Sequence, residues 1–207
     1  MTHKNHNPND GGAAEVDGLN ALSDASLVAR IARGQHAAYS VLVMRHANRY
    51  VAVAEKVLYQ RQEAEDAVQD AFVKLWQKAD QFEPETAKFS TWFYRIVVNQ
   101  CLDRKRKKTA DALPEDYDIK DDSNGPEENL VEDQRAQQMQ QAMDLLPERQ
   151  KTAIVLCYYE GMSNKEAADV LEVNIKALES LLTRGRKGLK ENLDKCLGMT
   201  AKDMLNT

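Results

Sequence analysis

The sequence predicts an all-α protein made of two small helical domains joined by a flexible acidic linker. Three observations lead to that fold class. Apolar residues recur at intervals of three and four through successive segments set apart by capping residues, Gly and Pro. From Thr109 to Pro126 the composition turns acidic, gains Pro114, Gly125 and Pro126, and lacks a repeated apolar face. Beyond it stand a short helix, a three-residue turn and a longer basic helix, the order of a helix-turn-helix.

The bulk numbers permit this and narrow the class. A chain of 207 residues with 43% hydrophobic content can bury one or two small cores. Its formal charge of −5 argues at first against nucleic acid, because phosphate binding needs a positive surface. The charge is segregated, however. RKRKK occupies Arg104 to Lys108 and a second basic cluster holds Arg184, Arg186, Lys187 and Lys190, whereas Asp111 to Asp133 is dominated by Asp and Glu. Cys101, Cys157 and Cys196 are odd in number and far apart, which suggests neither a disulfide framework nor a zinc spacing and fits a reducing cytosol. His3 and His6 form an HxxH in a polar tail with no further ligand nearby, so no metal or cofactor is expected. No apolar run approaches the ~20 residues of a membrane span, and the first twenty residues have no signal-peptide core, so a cytoplasmic protein without membrane insertion is expected.

The elements follow in order. After a disordered tail over residues 1–22, Ser23 caps a short helix with Leu27, Val28 and Ile31 on one face, ended by Gly34. Gln35 to Leu58 forms a longer helix whose stripe is Tyr39, Leu42, Val43, Ala47, Tyr50, Val51 and Ala54. Gln62 to Ala79 repeats the pattern with Ala67, Val68, Ala71, Phe72, Leu75 and Trp76 below an acidic face. Asp80 to Lys88 contains Pro84 and no period, hence a loop, and helix resumes at Ser90 or Thr91 and closes a first domain, residues 23–108, at Lys108. The linker occupies 109–126. A second domain, 127–195, opens with a glutamine-rich helix; Pro147 suits the first position of the next helix, which Gly161 stops. Ser163 and Glu166 make a capping box for NKEAADVL, Glu172 to Asn174 form the turn, Val173 is placed to staple against Leu178, and Asn174 caps the last helix. Residues 196–207 are expected as a tail.

On that last helix, at 100° per residue, Ile175, Leu178, Leu181, Leu182, Gly185 and Leu189 fall on one side. Lys176, Glu179, Ser180, Thr183, Arg184 and Lys187 fall on the other. Ser and Thr bond base edges or phosphates, Lys and Arg suit guanine or phosphate, and Glu accepts from cytosine N4, so the polar side has the chemistry of a groove reader. On the helix ending in RKRKK, Arg95, Asn99, Asp103 and Arg106 share a side, while Trp92 and Tyr94 lie beside the loop and suit either the core or base stacking. Asp66, Gln69 and Asp70 suit either the solvated face of an ordinary amphipathic bundle helix or a polar docking face with apolar neighbours as anchors. No nucleophile elbow, phosphate-binding glycine loop, metal cluster or His-centred triad is present, and an enzyme is not expected.

Taken together, "EDAVQDAFVKLW", "FSTWFYRIVVNQCLDRKRK" and "LPERQKTAIVLCYYEGMSNKEAADVLEVNIKALESLLTRGRKGL" closely resemble the bacterial RNA polymerase sigma factors of the extracytoplasmic-function type, in the order of that family. The resemblance implies that the first domain is region 2, which docks on the beta-prime clamp helices of core RNA polymerase and captures the minus-10 element. It places Asp66, Gln69, Asp70, Phe72 and Trp76 in the polymerase-docking helix, and Trp92, Arg95, Asn99, Arg104 and Arg106 on the minus-10 strand. It implies that the second domain is region 4, which touches the beta flap and reads the minus-35 element through Lys176, Glu179, Ser180, Thr183, Arg184 and Lys187. It further implies that the linker passes through the polymerase interior and that promoter DNA and an anti-sigma factor are partners.

Three positions depart from the family pattern. Members often have Gly where this chain has Glu172, which implies strain if the turn needs a left-handed backbone. Many have a basic residue at Glu179 and an arginine at Leu181, so the minus-35 sequence does not follow from the family. Two rival readings stay open at this stage: a sigma-like regulator that binds an anti-sigma protein without initiating transcription, and a stand-alone helix-turn-helix repressor.

Overall fold

The computed structural model describes residues 18–111 and 130–205, so the expectations for residues 1–17 and 112–129, which take in most of the predicted tail and linker, lie outside the described residues. Among the described residues the fold is all-α. Its helices are α1 (Asp24–Ile31), α2 (His36–Leu58), α3 (Arg61–Lys78) with a 3-10 turn at Ala79–Gln81, α4 (Phe89–Asp111), α5 (Leu130–Asp144), α6 (Glu148–Ile154) continued by a π turn at Val155–Tyr159, α7 (Asn164–Leu171) and α8 (Ile175–Leu205). Two compact units result: 1–55 with 60–100, and 56–59 with 101–207.

In the first unit the local signals act as read. Ser23 Oγ accepts the Ser26 N–H at 3.2 Å. Gly34, at φ 82°, closes α1 with the Gly34 N–H on Ile31 O and the Gln35 N–H on Arg30 O, the paired bonds of a Schellman motif. The core is aromatic at its centre. Tyr50 meets Phe93 and Tyr94, each with centroids 4.7 Å away, and Phe72 lies 4.7 Å from Phe93. α2 is buried on a wider arc than its predicted stripe: Val41 and Val53 are also covered, because α2 is packed on more than one side. Phe82 and Phe89 seat the two ends of the following loop. Asp24 accepts from Arg45, and His46 Nε2 lies 2.9 Å from its other oxygen, fastening α1 to α2.

In the second unit α8 packs on α5, α6 and α7. Asn192 Nδ2 donates a buried 3.0 Å bond to Ala142 O. Pro147 occupies the cap of α6 rather than its first position, and its carbonyl accepts the N–H groups of Gln150 and Lys151 at 2.9 and 3.1 Å. The Glu160 N–H reaches back five residues to Val155 O, making the π turn, and Gly161 at φ 65° follows it. Lys151 is fully buried, with Nζ 3.2 Å from Asp144, 3.6 Å from Glu148 and 4.6 Å over the Tyr59 ring. α8 stays helical to Leu205, well past residue 195.

Candidate nucleic-acid interface

The helix-turn-helix is built from its caps inward. Ser163 Oγ accepts the Glu166 N–H at 3.3 Å while the Ser163 N–H donates to Glu166 Oε2 at 3.1 Å, so the predicted capping box is formed in both directions. At the far end of α7 the Glu172 N–H donates to Asp169 O and the Val173 N–H to Ala168 O, again a Schellman closure. Here the left-handed residue is Glu172, at φ 54° and ψ 46°, where α1 used Gly34. Asn174 Oδ1 then accepts the Ala177 N–H at 2.8 Å and starts α8. A tight turn held at both ends fixes the angle at which α8 leaves α7.

On α8, Leu178, Leu182 and Gly185 face the core, and Lys176, Glu179, Ser180, Thr183, Arg184 and Lys187 are all exposed. The Arg184 Nε donates to Ser180 O, and Lys187 Nζ lies 3.9 Å from Glu191. Cationic donors, two hydroxyls that donate or accept, and one carboxylate therefore line a solvent-facing ridge. Ile175 is a correction: periodicity groups it with the buried side, yet it is 47% exposed, because it sits at the first position of α8, beside the end of α7.

The acidic face lies on α3. Gln69 and Asp70 are exposed and Asp66 is half-buried, with Gln62 Nε2 3.5 Å from its carboxylate. Spaced at three and four residues, they share one side of the helix. Phe72 faces inward and is 4% exposed, so it braces α3 from beneath; Trp76 is half-buried and stacks on His36 at 4.4 Å.

On α4, Arg95 and Asn99 are half-buried. The two aromatics that sequence leaves open belong to the core: Trp92 is 8% exposed between Phe82 and Phe89, and Tyr94 is 1% exposed. Trp92 thus has no open face for a base in this conformation. In the final turns Arg104 is half-buried, and the exposed Arg106 pairs with Asp103. Burial pushes the Cys101 thiol up to about 12 and also raises that of Cys157, so neither is a ready thiolate. Among the described residues no group of His, Cys, Asp and Glu could hold a metal ion, and no helix is long and apolar enough to cross a membrane.

Comparison with known families gives two matches in chain order, Sigma-70 region 2 over residues 42–110 and Sigma-70, region 4 over residues 136–189. The chain belongs to the sigma-70 family. Its relatives place this sigma factor in the extracytoplasmic-function group: it is 33% identical over 164 residues to the ECF RNA polymerase sigma factor SigE of Mycolicibacterium smegmatis, covering 77% of this chain and 63% of that one. It is therefore matched to a little under two thirds of SigE. Among solved structures it resembles CnrH in complex with the cytosolic domain of CnrY, at TM-score 0.59 and 28% identity over 83% of this chain and 97% of that one. It also resembles the sigma factor RpoE in complex with the anti-sigma factor NepR from Bartonella quintana, at TM-score 0.57 and 25% identity over 75% and 96%. The region 2 match spans most of α2, all of α3 and all but the last residue of α4; the region 4 match ends at Leu189, inside α8 of this sigma factor.

Proposed function

We propose that this sigma factor binds core RNA polymerase and directs promoter-specific initiation, with α3 as the docking helix, α4 handling the minus-10 strand and α8 reading the minus-35 element. One observation supports this above the others: all six predicted polar reading residues of α8 are exposed together, on a helix whose entry turn is capped at both ends. Asp66, Gln69 and Asp70 supply the polar contact to the beta-prime clamp helices, while Phe72 and Trp76 hold that helix in place. Arg95, Asn99, Arg104 and Arg106 supply cationic and amide groups to the minus-10 strand. Work at the polymerase places the protein in the cytoplasm and gives it no catalytic step of its own. An anti-sigma partner is proposed from the RpoE–NepR likeness.

The free protein carries small basic faces beside a net negative charge, so specific DNA binding is expected mainly in the holoenzyme. Run-off transcription with purified core polymerase tests the reading. Promoter-dependent transcripts that vanish with Asp66→Ala/Gln69→Ala/Asp70→Ala, with helical content unchanged, support it. Core binding without transcripts from any promoter would favour the regulator that only engages an anti-sigma factor, and tight specific DNA binding without polymerase would favour the repressor.

A further inference from the structure

We propose that Ile175 is an apolar base reader: it packs on the C5 methyl of a thymine in the major groove, with Lys165 and Lys176 on the phosphates that flank that base. The proposal rests on the reading of α8 as the minus-35 helix and deepens it by naming a group the polar face cannot recognise.

Ile175 is out of place as a core residue and well placed as a reader. It is 47% exposed at the N-terminal end of α8, the end of a recognition helix that meets base edges. It forms a wall of an open depression of about 440 Å³ between α7 and the turn. Ala168 and Val173 continue the apolar lining, and the exposed Lys165 and Lys176 line it as well. Both lysines are exposed, and neither pairs with an acidic side chain among the described residues. Asp169 also lines the depression and repels a phosphate that approaches it, which leaves the apolar part of the lining to a base edge.

The chemistry then selects the ligand. Of the groups that the four bases present in the major groove, the thymine C5 methyl is the apolar one. An aliphatic side chain set between two cations, beside the donors of α8, matches a methyl between two phosphates. A docking peptide would need apolar anchors to seat in the depression, and Lys165 and Lys176 would favour acidic flanks.

The test uses holoenzyme assembled from core polymerase and the full chain. Promoters randomised in the minus-35 element are selected for binding, and each thymine of the selected sites is then replaced by deoxyuridine, which removes only the methyl. At one thymine the wild type should lose about three- to tenfold in affinity. Ile175→Ser should abolish that loss, Ile175→Val should keep most of it, and Lys165→Ala should weaken all sites alike with a shallower salt dependence.

Either of two binding results overturns the proposal: no thymine at which deoxyuridine weakens binding, or a deoxyuridine penalty that Ile175→Ser leaves intact. Photo-crosslinking from a benzoylphenylalanine at position 175 should capture promoter DNA; capture of the polymerase flap instead would also sink it. If the selected sites still depend on Arg184 while the methyl is irrelevant, only the role of Ile175 fails. If no minus-35 preference emerges at all, the reading of α8 fails with it.

Discussion

The guanidinium of Arg149, near the start of α6, donates a 2.8 Å hydrogen bond to the carbonyl oxygen of Leu171, the last residue of α7. That carbonyl is one of the four a helix end leaves without an intrahelical partner, and a cation there also suits the helix dipole. The bond ties α6 to the turn that aims α8. Arg149→Met keeps the aliphatic stem and removes the donor. We expect a loss of about 1 kcal/mol, after allowance for the exposure of Arg149, read as a lower urea midpoint. Minus-35-dependent transcription should fall more than transcription from promoters that rely on the minus-10 element.

Glu172 sits one residue further on, in the left-handed region that costs an L-residue roughly 1–2 kcal/mol. Gly34 meets the same backbone demand without that cost. Glu172→Gly should therefore raise stability by about 0.5–1 kcal/mol, the gain being reduced by the larger backbone entropy of Gly in the unfolded chain. A β-branched residue fits the left-handed region worst, so Glu172→Val should destabilise. Denaturation midpoints in the order Gly above Glu above Val check this; Val at or above Glu would refute the strain argument.

Local chemistry was the legible part of this fold. Ser23, Ser163 with Glu166, and Asn174 make the capping bonds their positions imply, since a cap depends on neighbours within three residues. The polar ridge of α8 was legible for a similar reason: one period places all six residues. Residues whose fate depends on the end of another helix were not. Ile175 obeys the apolar period yet stays half-exposed, and Lys151 has the sequence of a surface lysine yet is buried against Asp144 and Glu148. Trp92 and Tyr94 suit core or groove by sequence, and packing assigns both to the core.

Close helix packing makes a prediction of opposite signs at two glycines of α8. A Cβ at Gly185 would lie 3.0 Å from Ile154 Cδ1 and 3.4 Å from both Cβ and the carbonyl oxygen of Gln150. At Gly188 it would meet the end of Leu146 at 2.9 Å, a flexible atom that can rotate away. Gly188→Ala should be neutral or stabilising by up to about 1 kcal/mol, because Ala favours the helix. Gly185→Leu should cost about 1–3 kcal/mol and tilt α8 away from α6. Urea unfolding of both variants, with minus-35 binding measured alongside, tests the pair.

Cys101 is 1% exposed, and its thiol is held up to about 12 by burial. The thiolate is the reactive form, so at pH 8 the folded protein should leave Cys101 unmodified by iodoacetamide while unfolding in urea exposes it. The linkage has a definite sign. In the unfolded chain the thiol ionises near its ordinary value of 9.0, while the folded chain keeps the proton until about 12. The contribution of Cys101 is thus complete below pH 9 and is lost as pH rises from there towards 12. Cys101→Ala should flatten that part of the alkaline stability profile; an unchanged slope would place its cause elsewhere.

Glu179 is the acidic residue on the α8 ridge, exposed among Lys176, Ser180, Thr183, Arg184 and Lys187. A carboxylate about 4 Å from a phosphate is repelled by roughly 1 kcal/mol in water, so Glu179 opposes affinity unless it bonds a base. Two bases offer a major-groove donor, adenine through N6 and cytosine through N4; N4 suits a carboxylate better because adenine carries the N7 acceptor beside its donor, and one well-made base contact discriminates by about 1–3 kcal/mol. Two outcomes of Glu179→Lys are then separable in a panel of minus-35 variants. If Glu179 selects a base, the substitution lowers binding to the preferred site, raises binding to variants at one position, and leaves the other positions in their former rank. If it only tempers phosphate attraction, every variant tightens by the same factor and the salt dependence steepens. We expect the first pattern, because a purely repulsive residue on this ridge would weaken the interface without gaining discrimination.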